Sequence, residues 1–260
     1  MTDWTSETED LNVKTVRECA VITFDRPEKL NAMTQEMRRD VAAAIRHYGD
    51  GTHARGIVLT GAGRAFSAGE DLKATPAGAS GDVLEAVESF HDITRAVLET
   101  SVPVIAAVNG LAVGGASEVT MCCDARVGTS NSEYFMPENH IGLTISNASS
   151  ILLRRLVGNA ATRIVLEAKR MNASEALDLG LLDEIVDAER LVDHCIDLIH
   201  RWNRPGSATA MHLALLRPTP EEIHAAIQRE NVAAKEAFDA GVVSEGIDRF
   251  WRNKLVATAD

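Results

Sequence analysis

Residues 103–126 read PVIAAVNGLAVGGASEVTMCCDAR, and this stretch decides how the rest of the chain is read. The apolar run at 102–108 has the length and bounds of a buried strand, and 116–123 reads as a helix. Between them stands Gly114-Gly115. A glycine pair ahead of a helix leaves backbone N–H groups without intrahelical partners, aimed where an anion can sit. Glu118 lies one turn inside that helix. Twenty residues on, Glu138 follows Pro137 in EYFMPENHIGL (133–143). If the chain returns so that both carboxylates face one cavity, the site has an oxyanion hole and two proton carriers.

Upstream, residues 18–25 (ECAVITFD) form a β-like run closed by Arg26-Pro27 and a turn through Asn31. Thr34 is placed to cap a helix over 35–48. A second strand is expected at 56–60, ended by the GAGR turn, then AFSAGEDLKA, an Ala/Gly/Pro/Ser-rich loop at 75–81 and a helix over 83–99. Strands and helices alternate, which predicts an α/β architecture. Beyond Ser146 the pattern turns helical, near 147–157, 160–167, 173–180, 189–203, 206–216, 220–240 and 244–254, with 182–186 as the one short strand. The expected organisation is an α/β core over 1–200 and a helical C-terminal part over 201–260.

The chain has 260 residues, 45% of them hydrophobic, enough for a sizeable core. Its formal charge of −12 argues against a general nucleic-acid binder, which needs a clustered basic surface. An anionic small molecule is still compatible, because distant charges are screened beyond about 8 Å at physiological salt. No apolar run reaches the roughly 18 residues of a membrane span, and the acidic start MTDWTSETED is unlike a targeting segment. Cys19, Cys122, Cys123 and Cys195 show neither CxxC pairing nor metal spacing. A reducing cytoplasm is the expected location, and neither a metal nor a separate cofactor is expected.

Each motif also has a plainer reading. Glycines before helices are common punctuation, Glu118 could merely favour the helix dipole, and a lone loop glutamate such as Glu138 is usually solvated. Ser117 stands in GGASE, which is not the GxSxG of a serine hydrolase. His140 fits a pocket or the surface. A second glycine-containing stretch, Phe66-Ser67-Ala68-Gly69-Glu70-Asp71-Leu72-Lys73, changes the weighing. It can offer the Glu70 N–H as a second donor to one oxygen, and losing one such donor typically costs about 3 to 4 kcal/mol of transition-state stabilisation.

Six blocks in order, ITFDRPEKLNAMT, GIVLTGAGRAFSAGEDLK, PVIAAVNGLAVGGASEVTMCCDAR, EYFMPENHIGL, LVGNAATRIVLEAKRMNASEALDLGLLDEIV and SEGIDRFWRNK, make the chain resemble the crotonase (enoyl-CoA hydratase/isomerase) superfamily. The resemblance implies a spiral of ββα turns, a helical C-terminal part that packs trimers often paired into hexamers, and an acyl-CoA thioester as ligand. Carried over by position, the thioester oxygen lies between the N–H groups of Glu70 and Gly115, beside Gly114. Glu118 and Glu138 occupy the positions of the hydratase glutamates. The coenzyme passes along the turn from Arg26 through Lys29 to Leu30 and the stretch Ala68, Gly69, Asp71 and Leu72, with Lys29 and Lys73 as phosphate partners. Phe250 or Trp251 closes over it.

One block departs from the pattern. Where a typical hydratase has Pro-Gly-x-Gly-Gly, whose backbone helps hold water, residues 145–149 read Ile-Ser-Asn-Ala-Ser. Two readings are open: Ser146 caps the next helix, or Ser and Asn side chains line the acyl pocket. The expected reaction is hydration of a 2,3-enoyl thioester or the reverse dehydration of a 3-hydroxyacyl thioester. Isomerisation, hydrolysis or C–C cleavage on the same scaffold is an alternative, and so is a non-catalytic acyl-CoA-binding subunit.

Overall fold

The computed structural model describes residues 4–72, 80–247 and 249. The first element is β1 (Leu11–Val16), followed by β2 (Cys19–Phe24), α1 (Gln35–Gly49), β3 (Ile57–Gly61), β4 (Ala65–Ser67) and α2 (Ser80–Glu99). Next come β5 (Val104–Val108), β6 (Leu111–Val113), α3 (Gly115–Met121), β7 (Ala125–Gly128) and β8 (Glu133–Phe135). The remainder is α4 (Ser149–Val157), α5 (Ala160–Leu166), β9 (Arg170–Asn172), α6 (Ala173–Leu179), β10 (Glu184–Ile185), α7 (Leu191–Trp202), α8 (Thr209–Leu216) and α9 (Pro220–Asp239).

The strands form two sheets. The larger runs β1-β2-β3-β5-β7-β10, parallel except for the β1-β2 hairpin, and the smaller runs β4-β6-β8-β9. Each of β3, β5 and β7 is followed within a few residues by a strand of the smaller sheet, and β4 and β6 then lead into helices. The chain thus winds as a spiral of ββα turns. Asn109 braces one corner: its side-chain oxygen accepts from the Gly61 N–H at 3.1 Å and its amide donates to Gly63 O and Ala65 O at 3.0 and 3.1 Å.

Period-2 alternation explains why the larger sheet is covered on both faces. Ala20, Ile22, Phe24, Ile57, Leu59, Val104 and Ala106 turn to one buried cluster, which also contains Val41 and Ile45 of α1 and Ile223 and Ile227 of α9. Cys19, Val21, Val58, Ile105 and Val127 turn to the other, against Cys195, Ile196 and Ile199 of α7. Cys19 and Cys195 are therefore small core residues. Among the described residues no helix is long and apolar enough to cross a membrane.

Several local expectations meet the structure directly. The Thr34 hydroxyl accepts from Met37 N at 3.2 Å, capping α1 where its residue type predicts. Two expectations change. The C-terminal half carries a second strand, β9, paired antiparallel to β8. Ser146 does not cap α4: that position belongs to Ala148, at φ 56°, and Ser146 turns elsewhere.

Candidate active site

Helix α3 sits at the end of β6, and Gly114 is the joint. Its φ of 55° and ψ of −127° suit glycine, and a methyl group there would lie 2.7 Å from Glu138 Oε1. The glycine pair therefore lets the Glu138 carboxylate approach the backbone at the start of α3. Gly115 is equally constrained, because a methyl group on it would meet the Phe90 ring at 2.7 to 3.1 Å. Gly69, at φ 82°, brings the second turn in: a methyl group on it would stand 2.5 Å from Val113 O and 3.8 Å from Gly115 N. The 69–70 turn and the α3 start are thus neighbours, although 45 residues separate them.

That juxtaposition is held from behind. Met33 N donates to Gly69 O at 2.8 Å and Asp71 N to Met33 O at 3.1 Å, so the chain at 33 pairs with the turn at 70. Arg38 of α1 is fully buried. It donates to Ser89 Oγ at 2.7 Å and Met33 O at 2.9 Å, stacks 4.3 Å over Phe90, and lies 3.9 Å from the Glu70 carboxylate. The last distance makes an ion pair without a direct hydrogen bond.

A cavity of about 450 Å³ opens over these turns, lined mostly by apolar side chains. Ala68, Gly69, Glu70, Leu72, Gly114, Gly115, Glu118 and Glu138 all border it. Phe238 of α9 and Val243, Ser244 and Ile247 beyond it also border the cavity.

The two carboxylates differ sharply in their partners. Glu118 is 1% exposed and accepts three bonds: Ser146 N–H to Oε1 at 2.9 Å, the Ser146 hydroxyl to Oε2 at 2.6 Å and the Asn147 amide to Oε2 at 3.0 Å. Glu138 is 6% exposed, and its Oε2 has no hydrogen-bond partner among the described residues. Burial pushes the Glu138 carboxyl up to about 7. Burial, followed by the charge of Glu138, raises Glu118 as well, and its Ser146 and Asn147 donors oppose the rise. Two such groups cannot both ionise at low cost, so they share protons as a pair.

The remaining expected residues that the structure describes, Arg26, Lys29, Leu30 and Asp71, lie apart from the lining. The Arg26 guanidinium is 7% exposed, 3.1 Å from Asp10 and 3.2 Å from Asp71, which locks the 26–31 turn against 68–71. Lys29 is exposed on that turn, and Leu30 O accepts from Ala68 N at 2.8 Å. His140 is exposed. The Ser117 hydroxyl is buried and donates to Ala112 O at 2.8 Å, a structural bond. Lys73, Phe250 and Trp251 lie outside the described residues, as does most of the 75–81 loop. Among the described residues no group of three or more His, Cys, Asp or Glu side chains is placed to hold a metal. Phe90 and Arg38 escaped the sequence reading because each sits in an ordinary amphipathic helix pattern.

The double-sheet spiral with two carboxylates over paired glycine turns defines a crotonase-type fold and site. The enoyl-CoA hydratase/isomerase family model matches residues 15–255, and the chain belongs to that family. It is 36% identical to a probable enoyl-CoA hydratase of Rhodobacter capsulatus over 86% of this chain and 78% of that one. It is 30% identical to a short-chain-enoyl-CoA hydratase of Clostridium acetobutylicum, covering 91% and 92% of the two chains. Among solved structures, an enoyl-CoA hydratase/isomerase of Pseudoalteromonas atlantica superposes with a TM-score of 0.83 at 26% identity, over 94% and 98% of the chains.

Proposed function

We propose that the protein hydrates 2-enoyl thioesters of coenzyme A, and in reverse dehydrates 3-hydroxyacyl thioesters. The observation that carries this reading is the pair of buried carboxylates, Glu118 and Glu138, bordering one apolar cavity with Gly115 at its floor. The names of the relatives support the same reaction. The thioester oxygen lies toward the N–H groups of Glu70 and Gly115, which polarise the carbonyl, make C3 electrophilic and stabilise the enolate that forms.

The unequal hydrogen bonding supports a division of the proton roles. Three donors favour negative charge on Glu118, while Glu138 Oε2 has none among the described residues, which favours the shared proton on Glu138. Glu118 takes a proton from water as its oxygen bonds to C3, and Glu138 delivers its proton to C2. The C2=C3 π bond is consumed, and proton exchange between the two carboxyls or with solvent restores the pair. A carboxyl near 7 is well matched to donating at neutral pH.

The coenzyme runs along Ala68–Leu72, with Lys29 toward its phosphates; Lys73, the other expected phosphate partner, lies outside the described residues. The reaction requires no metal and no further cofactor. The working state is a trimer or a pair of trimers in the cytoplasm. Incubating the protein with crotonyl-CoA in ¹⁸O-labelled water tests the reaction. A product heavier by one labelled water is expected. An isomer of unchanged mass, or free coenzyme A, overturns hydration in favour of isomerisation or hydrolysis.

A further inference from the structure

Asn147 and Ala148 have φ values of 60° and 56°, two consecutive side-chain-bearing residues in the left-handed region. Such backbone persists only where its surroundings over-determine it. Here they do. Asn147 N–H donates to His91 Nδ1 at 3.2 Å, and the N–H groups of Ala148 and Ser150 donate to the two carboxylate oxygens of Glu230, each at 2.9 Å. His91 is fully buried and held neutral, with burial pushing it down to about 4. Since its Nδ1 accepts, Nε2 carries the proton and donates to Asn231 Oδ1 at 3.0 Å. Helices α2 and α9 therefore clasp the 146–150 turn from two sides.

The Asn147 carboxamide is fixed at both ends. Its Nδ2 donates to Glu118 Oε2 at 3.0 Å, and its Oδ1 accepts from the Thr94 hydroxyl at 2.9 Å. An ionised Glu118 carboxylate only accepts, so it selects the orientation that presents Nδ2, and the Thr94 hydroxyl, which can donate or accept, ties down the amide oxygen at the other end. Asn147 itself is fully buried and is not among the cavity-lining residues, so it acts through Glu118.

We propose that Asn147, tethered by Thr94, is a positioning residue that keeps the Glu118 carboxylate turned to the cavity and anionic, leaving the shared proton on Glu138. This rests on the hydration reading above. Among the described residues, the other charged or titratable groups around Glu118 are Glu138 on its turn, Glu70 and Arg170 in the cavity wall, Arg38 behind Phe90, and His91 and Glu230 behind the 146–150 turn. None of them is altered in the variants below except Glu138, which is neutralised deliberately.

The test uses full-length protein with ¹³C-carboxyl glutamate and infrared difference titration in an E138Q background, with E118Q/E138Q subtracted so that Glu118 titrates alone. Asn147→Gly keeps the left-handed backbone and removes the amide. It is expected to raise the Glu118 midpoint by about one pH unit. Thr94→Val is expected to raise it in the same direction, and Thr94→Ser to restore it. In protein that retains Glu138, N147G and T94V are expected to lower kcat for crotonyl-CoA hydration about tenfold with little change in KM, and to move the acid limb of the kcat profile upward. A Glu118 midpoint unmoved in both N147G and T94V overturns the proposal, and the T94V/T94S pair decides it alone if N147G does not fold. Midpoints that move in a protein that hydrates no thioester leave the positioning role standing and sink the hydration reading. Hydration with unmoved midpoints does the reverse.

Discussion

Ser146 grips Glu118 twice, with its backbone N–H 2.9 Å from Oε1 and its hydroxyl 2.6 Å from Oε2. A hydroxyl that could have capped α4 instead faces a buried carboxylate. The choice follows from cost. An unpartnered helix-terminal N–H can be met by Glu230, which accepts from Ala148 and Ser150. A buried carboxylate short of donors is far more unfavourable.

Replacing Ser146 with alanine removes one donor from a carboxylate that is 1% exposed. Bonds to charged groups contribute about 1.5 to 3 kcal/mol. Hydration by S146A is expected to fall roughly 10- to 100-fold in kcat, with the acid limb of the pH profile displaced upward. Unchanged kinetics across the pH range would remove Ser146 from the proton-transfer machinery.

Glu138→Gln is expected to lower kcat by about 10² or more, and also to change how stability depends on pH. The folded Glu138 carboxyl titrates near 7, above its ordinary 4.5. Its contribution is intact below pH 4.5 and is lost as pH rises through 7, because the unfolded chain ionises first. E138Q should therefore gain on the wild type between pH 5 and pH 8, by about 3 kcal/mol at most. Urea unfolding at the two pH values measures the gap, and a gap that does not widen with pH contradicts the burial argument.

His91 has the opposite sign. Its folded value, about 4, lies below the ordinary 6.5, so stability is full above 6.5 and is lost as pH falls toward 4. His91→Gln should flatten that acid limb of the stability curve, while lowering stability at pH 7 through the bonds to Asn147 and Asn231. Thermal unfolding between pH 4 and 7 reports both effects. An acid limb as steep as that of the wild type would assign the acid sensitivity to other groups.

Gly69→Ala puts a methyl group 2.5 Å from Val113 O at a φ of 82°. The turn must shift, carrying the Glu70 N–H away from Gly115. A fall of about 10² to 10³ in kcat is expected, with far-ultraviolet circular dichroism showing a folded protein. Retained activity in a folded G69A protein would place the oxyanion donors elsewhere.

Local signals made much of the fold legible. The Thr34 cap, the amphipathic run of α1 and the apolar strands β2, β3 and β5 depend on neighbours within a few residues. Strands β4, β6, β8 and β9 are three residues each, too short to carry a period, and exist because each completes a ladder in the smaller sheet. Arg26 shows the same limit in the site. It stands in the turn along which the coenzyme is expected to pass, and its guanidinium lies between Asp10 and Asp71, one of them 45 residues away.

The sequence by itself determined the alternation of strands and helices, the two glycine turns and the presence of Glu118 and Glu138, because residue type and short-range spacing encode these. The tertiary structure alone decided that the turns at Gly69 and Gly115 meet and that Glu118 is clasped by Ser146 and Asn147. It also left Glu138 Oε2 without a protein partner among the described residues. The physical reason is desolvation. A carboxylate's protonation depends on how much water it has lost and which donors replace that water, and those donors come from segments 20 or more residues away.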